Sequence, residues 1–332
     1  LRPDRDALRE AAMTSIARAA IVAALGIRDA GAYRTLAGDR QAELVLRSPS
    51  APLSTTSAAA LQTIALAFLS SLVPISASAA ILARSIKLSF DGAGSIGIPQ
   101  MVAPNAGWVT EGGVIPLSQG VSSRAATLSP FKLAVMVALS NELMKNTNAV
   151  DLVKAVLIEN TAAALDLAMF SAVAETPGVH PGGILAGIAS LTPGASMTKD
   201  VEQIAQALAP CSGSAGAILV ASPGQAAALA MAPRDAMPTY ASAALPAGTI
   251  VGVVPSAIVS VVEALRLDSS AETTVHLDSS PVDIGVGGTP PVVAARSIST
   301  YQTDTTVIRL LMNATWARRS ASAVAWVQNV TW

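Results

Sequence analysis

The sequence predicts a mixed α+β chain, on three observations. Residues 149–173 read as one long helix, with Val150, Val153, Val156, Leu157, Thr161, Ala164, Leu165 and Ala168 along one side. Residues 131–139 alternate strictly, placing Phe131, Leu133, Val135, Val137 and Leu139 on one face of a strand. From 245 onward the helical period gives way to short β-like runs at 249–254, 258–265 and 272–277.

The chain has 332 residues, enough for one large domain or two moderate ones. Apolar residues make up 52% and charged ones 13%, where an average soluble protein carries roughly 25% charged. A chain this poor in charge either spans a membrane or buries much of its exterior against other subunits. Aromatics are only 3%, so the apolar content is mostly Ala, Val, Leu and Ile. The net charge of −1 implies no strong attraction to nucleic acid. Cys211 is the only cysteine, which excludes an intrachain disulfide and CxxC chemistry. With only His180 and His276, a histidine-rich metal site is excluded as well. No cofactor and no metal are expected.

Each element follows in order. Leu8, Ala11, Ile16, Ala19 and Ala20 recur at helical spacing over 5–25, and Gly26 can end that helix. The same stretch carries Asp4, Asp6 and Glu10 and has no continuous apolar core, so it does not read as a secretory signal. Residues 48–60 are linker-like. No charge occurs between Arg47 and Arg84, and 57–83 is long enough to span a bilayer. Pro74, Gln62, the many serines and the lack of flanking basic clusters speak against a span. The competing reading is an Ala-rich segment buried between subunits.

Ile86, Leu88 and Phe90 alternate as a strand, Asp91 opens a turn, and 96–102 suggests a second strand. Between 107 and 129, Gly107, Gly112, Gly113, Pro116 and Gly120 mark a long two-stranded loop. After the strand at 131–139, Asn148 and Asp151 form a capping-box-like pair that opens the long helix. Thr176-Pro177-Gly178 is expected to stop it. Residues 199–209 form a helix ended by Pro210, and 218–221 form a buried strand. Ser222-Pro223 opens a further helix to about 231, with proline in the first turn. Residues 281–297 are rich in Gly and Pro, and strands at 305–319 and 323–331 close the chain.

No constellation of residues points to catalysis. Gly213-Ser214-Ala215-Gly216 lacks the G-x-S-x-G pattern of a nucleophile elbow, and neither histidine has an orienting acid nearby in sequence. Asp166 and Glu159 sit on the long helix without histidine partners and read as a solvated or interface face. Gly285-Val286-Gly287-Gly288 has no following Lys-Ser/Thr for a phosphate loop. The Asn313-Ala-Thr315 and Asn329-Val-Thr331 sequons are chance matches without a secretory signal.

The most specific stretch is 107–145, GWVTEGGVIPLSQGVSSRAATLSPFKLAVMVALSNELMK. A Trp-x-x-Glu-Gly turn in a loop leads into a Pro-x-Lys strand and a Ser-x-x-Leu helix start. This order resembles the major capsid proteins of tailed bacteriophages, and Pro181-Gly182-Gly183-Ile184-Leu185 resembles the turn that follows their spine helix. The resemblance covers about 84–332. It implies the phage major-capsid form of the α+β class. The expected parts are an N-terminal arm at 1–83, an extended β-hairpin loop at 84–130, a peripheral domain with a long spine helix at 131–230 and 298–332, and an axial domain at 231–297. The body at 84–332 is expected to fold without residues 1–60.

The resemblance further implies a structural protein, not an enzyme, that self-assembles into the icosahedral head around phage double-stranded DNA. Trp108, Glu111, Lys132 and Glu142 become candidates for contact between subunits. The implied partners are copies of the chain in hexamers and pentamers, a scaffold or maturation protease, a portal and a decoration protein. DNA would be touched non-specifically, no membrane is involved, and shells would assemble in the host cytoplasm before release as virions. One departure is clear. Some family members crosslink their shells through a loop lysine after the Glu, whereas here no lysine lies between Lys87 and Lys132. Shells without covalent crosslinks follow. An encapsulin-like compartment or a gene-transfer-agent head fits the same pattern, and a membrane-anchored protein is the alternative of a different class.

Overall fold

A computed structural model describes residues 5–25, 39–47, 55–90, 94–99, 111, 124–144, 149–211, 216–231, 237–263, 265–277, 282–283, 293–294 and 296–332. Its helices are α1 (Arg5–Leu25), α2 (Arg40–Arg47), α3 (Thr55–Leu72), α4 (Ala77–Arg84), α5 (Asn141–Met144), α6 (Ala149–Met169), α7 (Met197–Leu208) and α8 (Pro223–Met231). The early strands are β1 (Ile86–Leu88), β2 (Ile96–Pro99), β3 (Arg124–Leu128) and β4 (Lys132–Ser140). The middle ones are β5 (Ile218–Ala221), β6 (Thr239–Ala241), β7 (Ile250–Val253), β8 (Ile258–Val262), β9 (Arg266–Ser270) and β10 (Thr274–His276). The last are β11 (Val282–Asp283), β12 (Val293–Ala294), β13 (Ser297–Ser299), β14 (Thr305–Arg318) and β15 (Val324–Val327).

The chain forms two units. The first comprises Leu1–Ala67, Ala134–Ile158 and Ala264–Leu311; the second comprises Phe68–Leu133, Glu159–Glu263 and Met312–Trp332.

In the first unit, α1 packs on α2 and β9. Met13, Ile16, Ala17, Ala19, Ala20 and Ile21 are all buried, so the helix is apolar well beyond a single stripe. Asp39 ties it down. Its carboxylate accepts from Ser15 Oγ at 3.0 Å and from Arg18 Nη1 at 3.2 Å, and it caps α2 by accepting from Ala42 N at 3.0 Å. β9 runs antiparallel to the first half of β14, from Val307↔Ser270 to Leu311↔Arg266. The sequence 266–270 shows no apolar alternation. It is a strand because β14 supplies a partner, and the cross-strand pair Arg309↔Asp268 adds a salt bridge at 2.6 Å. β10 pairs antiparallel with β13, and β11 with β12.

In the second unit, β1 runs parallel to β8, and β8 runs antiparallel to the second half of β14. A second sheet has the order β15-β7-β5-β6. Every residue of β5 and β7 is buried, which is why both read as continuous apolar runs rather than alternating ones. Ile204 and Leu208 of α7 are buried as that helix covers β7 and β15. Ser222 and Pro223 open α8 as the sequence predicts.

Two further segments also differ from their sequence reading. The linker expected at 48–60 is helical from Thr55, because an Ala- and Leu-rich run without Gly or Pro favours helix up to the break near Pro74. The long helix ends at Met169 rather than at 173. Residues beyond it turn to pair with the returning chain: Ile184 N donates to Met169 O at 2.8 Å and Gly183 N to Val173 O at 3.0 Å. Its 21 residues make a rod of roughly 32 Å. Among the described residues no helix is long and apolar enough to cross a membrane.

The enclosure of α1 bears on the expectation that 84–332 folds without residues 1–60. Deleting 1–60 removes several fully buried side chains from the first unit's core, each worth about 2–5 kcal/mol. Circular dichroism and limited proteolysis of the deletion should show the first unit unfolded. Native helix content outside the deleted segment would show that α1 is dispensable to the fold.

Candidate assembly surface

Of the segment 84–130, residues 84–90, 94–99, 111 and 124–130 are described. β2 and β3 pair antiparallel, with Ile96↔Leu128 and Ile98↔Ala126 in register. With a period of two, these four side chains share one face. Ile98 and Leu128 are buried there against Phe90, Val259 and Val261, with Ile96, Ala126, Leu88 and Ala317 around them. The register shifts between Ile98 and Pro99, where proline has no N–H to give the ladder. The β2–β3 pair is therefore clamped to the β1–β8 sheet of the second unit by an apolar plug.

β4 follows directly. Val135 and Leu139 are buried and Leu133 and Val137 half-buried, while Lys132, Ala134, Met136, Ala138 and Ser140 are exposed. The sequence pattern gave the correct face. Asn141 begins α5 and is held from β14's start: its N donates to Asp304 O at 3.1 Å, its Nδ2 donates to Asp304 Oδ1, and Thr306 Oγ1 donates to its Oδ1.

The second half of α6 carries a buried carboxylate. Asp166 is 5% exposed. Its Oδ1 accepts from Ser76 Oγ at 2.6 Å and Ser78 N at 2.9 Å, and its Oδ2 from Ser242 Oγ at 2.7 Å and Ala77 N at 3.4 Å. Ser76 is also the N-cap of α4, accepting from Ala79 N at 3.1 Å. Asp166 thus satisfies orphan N–H groups at the start of α4 from another helix, where the helix dipole favours negative charge. Against the reading of a solvated or interface face, Glu159 is exposed, whereas Asp166 is buried within its own chain. The sequence signal that could have found it is Ser76-Ala77-Ser78, an N-cap without a nearby acid of its own. Beside this knot lies an open cleft of about 430 Å³ bordered by Ile75, Ala163, Leu167 and Ala244, with Leu167 66% exposed.

The segment after α6 is pinned by indoles. Trp316 Nε1 donates to Gly182 O at 3.0 Å, Trp326 Nε1 to Ile188 O at 3.0 Å and Trp332 Nε1 to Asp200 Oδ2 at 2.7 Å. Arg318 Nη2 donates to Ala186 O at 2.7 Å, and burial pulls this guanidinium below its ordinary value. Gly183 has no alternative: a Cβ there would lie 1.7 Å from Ser171 O, a backbone atom that cannot swing away.

Among the described residues, chemistry outside these contacts is sparse. His180 Nδ1 lies 3.1 Å from Pro181 O in its loop, and His276 sits in the β10–β13 ladder. Cys211 is buried. Ser214 and Gly285–Gly288 lie outside the described residues. Among the described residues no three His, Cys, Asp or Glu side chains converge as a metal site.

What the geometry offers is a β2–β3 pair plugged into its sheet, an exposed face on β4 and a helix with exposed apolar side chains, all suited to contact. The model of the phage capsid family matches residues 73–253, more than half of the chain. The chain belongs to the phage capsid family. Its function is structural, as a capsid protein. No curated protein matches it in sequence. A solved structure from Microbacterium phage Oxtober96 superposes with a TM-score of 0.50 at 14% identity, over 76% of this chain and 90% of that one. This likeness gives the fold, the phage major-capsid form of the α+β class. A structure from Mycobacterium phage Cain is similar at 19% identity and TM-score 0.49, over 76% and 90% of the two chains. The capsid of a native GTA particle is similar at 14% identity and TM-score 0.47, over 77% and 92%.

The four contact candidates of this capsid protein fall as follows. Trp108 lies outside the described residues. Glu111 is exposed in a turn, Lys132 is exposed at the first position of β4, and Glu142 is exposed on α5. The Pro181–Leu185 turn turns out to be the device that closes off the spine helix α6, through Ile184 N and the steric demand at Gly183. Sequence reasoning missed the Asp166 knot and the indole staples, which join residues 76–90 and 132–138 positions apart.

Asp166→Ala removes the shared acceptor and leaves the hydroxyl protons of Ser76 and Ser242 and the N–H groups of Ala77 and Ser78 without the carboxylate that accepts them. A loss of about 3 kcal/mol or more is expected, with Asp166→Asn intermediate because it keeps one acceptor. Urea denaturation of the unassembled protein checks this. Wild-type stability in the alanine variant would mean that the knot contributes nothing net.

Proposed function

We propose that this protein assembles through pentamers and hexamers into the icosahedral head of a tailed phage and encloses double-stranded DNA. The observation that carries the reading is the membership of the phage capsid family over 73–253, joined to a loop whose base is plugged into the sheet by Phe90, Ile98 and Leu128. A clamped base lets a long loop project with a defined direction. Low charge fits a subunit whose exterior is mostly covered by neighbours.

The segments take the roles implied by the resemblance: an arm at 1–83, with α1 docked in the first unit, an extended loop at 84–130, a peripheral domain at 131–230 and 298–332 and an axial domain at 231–297. Trp108, Glu111, Lys132 and Glu142 are proposed contacts to neighbouring copies. A scaffold or maturation protease, a portal and a decoration protein complete the partner set, with assembly in the host cytoplasm. DNA is held by enclosure, since a net charge of −1 supplies little attraction to phosphate.

The purified protein should form closed shells or capsomers visible by negative-stain microscopy. A stable monomer at micromolar concentration would overturn the reading. Because no lysine lies between Lys87 and Lys132, boiling the particles in detergent should release a single band near 33.5 kDa. A ladder of covalent oligomers would show that another residue crosslinks the shell.

A further inference from the structure

Tyr301 is 79% exposed in a chain with three tyrosines and 3% aromatic residues. It sits in the turn between β13 and β14, and that turn is braced from several sides. Thr300 is buried; its N donates to Thr273 O at 2.9 Å, and its Oγ1 accepts from Thr273 N at 2.8 Å and reaches Ala271 O at 2.8 Å. Thr305 N donates to Thr300 O at 3.1 Å, and Thr303 Oγ1 to Ser299 O at 3.1 Å. Asp304 adopts φ +46°, a left-handed conformation that an L residue holds only when its surroundings enforce it. Asn141 supplies that enforcement through its bonds to Asp304. A rigid turn that presents one large aromatic to solvent loses little entropy on docking.

The same unit holds an open cleft of about 420 Å³, within the roughly 300–1,000 Å³ of small-ligand pockets. Met136, Val275 and Val307 give it apolar walls, and Asp268, Arg309 and His276 give it a polar side. This is the lining that a phenol fits, an apolar ring with a polar tip. Tyr301 of the same chain is not in the cleft, but Thr273 and Thr274 border both the cleft and the depression beside Tyr301. Leu277 and Ile298, on the β10–β13 hairpin, are also exposed, so the neighbourhood is an apolar surface awaiting cover.

We propose that Tyr301 of one copy seats in the cleft of a neighbouring copy, its ring against Met136, Val275 and Val307 and its hydroxyl toward the Asp268–Arg309 pair. The occupant is a second copy because a shell subunit always meets one; the proposal rests on the shell reading above. Knob and hole lie side by side, so two facing copies can each fill the other's cleft.

The test uses full-length protein. Chains carrying Tyr301→Cys alone and Ser270→Cys alone are mixed, assembled, oxidised and run on a non-reducing gel. Buried Cys211 is the only native thiol. A two-chain band well above that of either variant by itself is expected. Tyr301→Ala should raise the concentration needed for shells roughly tenfold or more, and Tyr301→Phe by less, with the melting of unassembled chain unchanged. Wild-type-like shells from Tyr301→Ala, or no mixed crosslink in shells that form normally, overturn the contact alone. Shells that shield Ser270→Cys from a thiol reagent without linking it to Tyr301→Cys mark another occupant and overturn it too. Wild-type protein that never forms shells overturns the shell reading itself, and the contact with it.

Discussion

The buried carboxylate of Asp166 is the constraint on which the second unit depends. Taking an ionised carboxylate out of water costs several kcal/mol unless donors replace the lost hydration. Here Ser76 Oγ, Ala77 N, Ser78 N and Ser242 Oγ replace it. The result fixes three pieces at one point: the spine helix, the start of α4 and the turn after β6. α4 leads directly into β1, and β1 pairs with β8. The direction in which the chain enters β1 is thereby set by a hydrogen-bond knot upstream of it.

A second constraint acts at the end of the spine helix. Helical periodicity would allow α6 to continue, but the returning chain takes the carbonyl of Met169 through Ile184 N and that of Val173 through Gly183 N. Gly183 makes the approach possible, since a side chain there would overlap Ser171 O. Trp316 and Trp326 then hold the returning segment by its carbonyls at Gly182 and Ile188. In a chain this poor in aromatics, these tryptophans serve as both core and hydrogen-bond donors, which is how a buried indole avoids an unpaired N–H.

The scarcity of charge connects these packing details to assembly. The 13% of charged residues leaves large surfaces with no solubilising cover. Leu167 and Ile75 beside one cleft, Met136 in another, and Tyr301 and Leu277 elsewhere on the first unit are exposed in the single chain. A subunit that works as a monomer would lose solubility by showing them, whereas a shell subunit covers them by association. The same logic explains why chemistry-bearing clusters are sparse. What this fold presents is shape.

The sequence by itself determined the class of the chain and most of its elements, because periodicity and turn chemistry are local. The alternation at 131–139, the apolar run at 218–221 and the Ser222-Pro223 helix start were all legible in this way. Composition alone left two readings, a membrane span or burial against other subunits. Tertiary structure decided the rest. Residues 266–270 carry no strand signal and became β9 only because β14 offered a partner. Asp166 read as solvated because its donors, Ser76 and Ser242, lie 90 and 76 residues away. The helix end at Met169 was set by Ile184 rather than by the Thr176-Pro177-Gly178 breaker. In each case a long-range hydrogen bond outweighed a local preference, since a buried polar group costs more unpaired than a weak propensity can return.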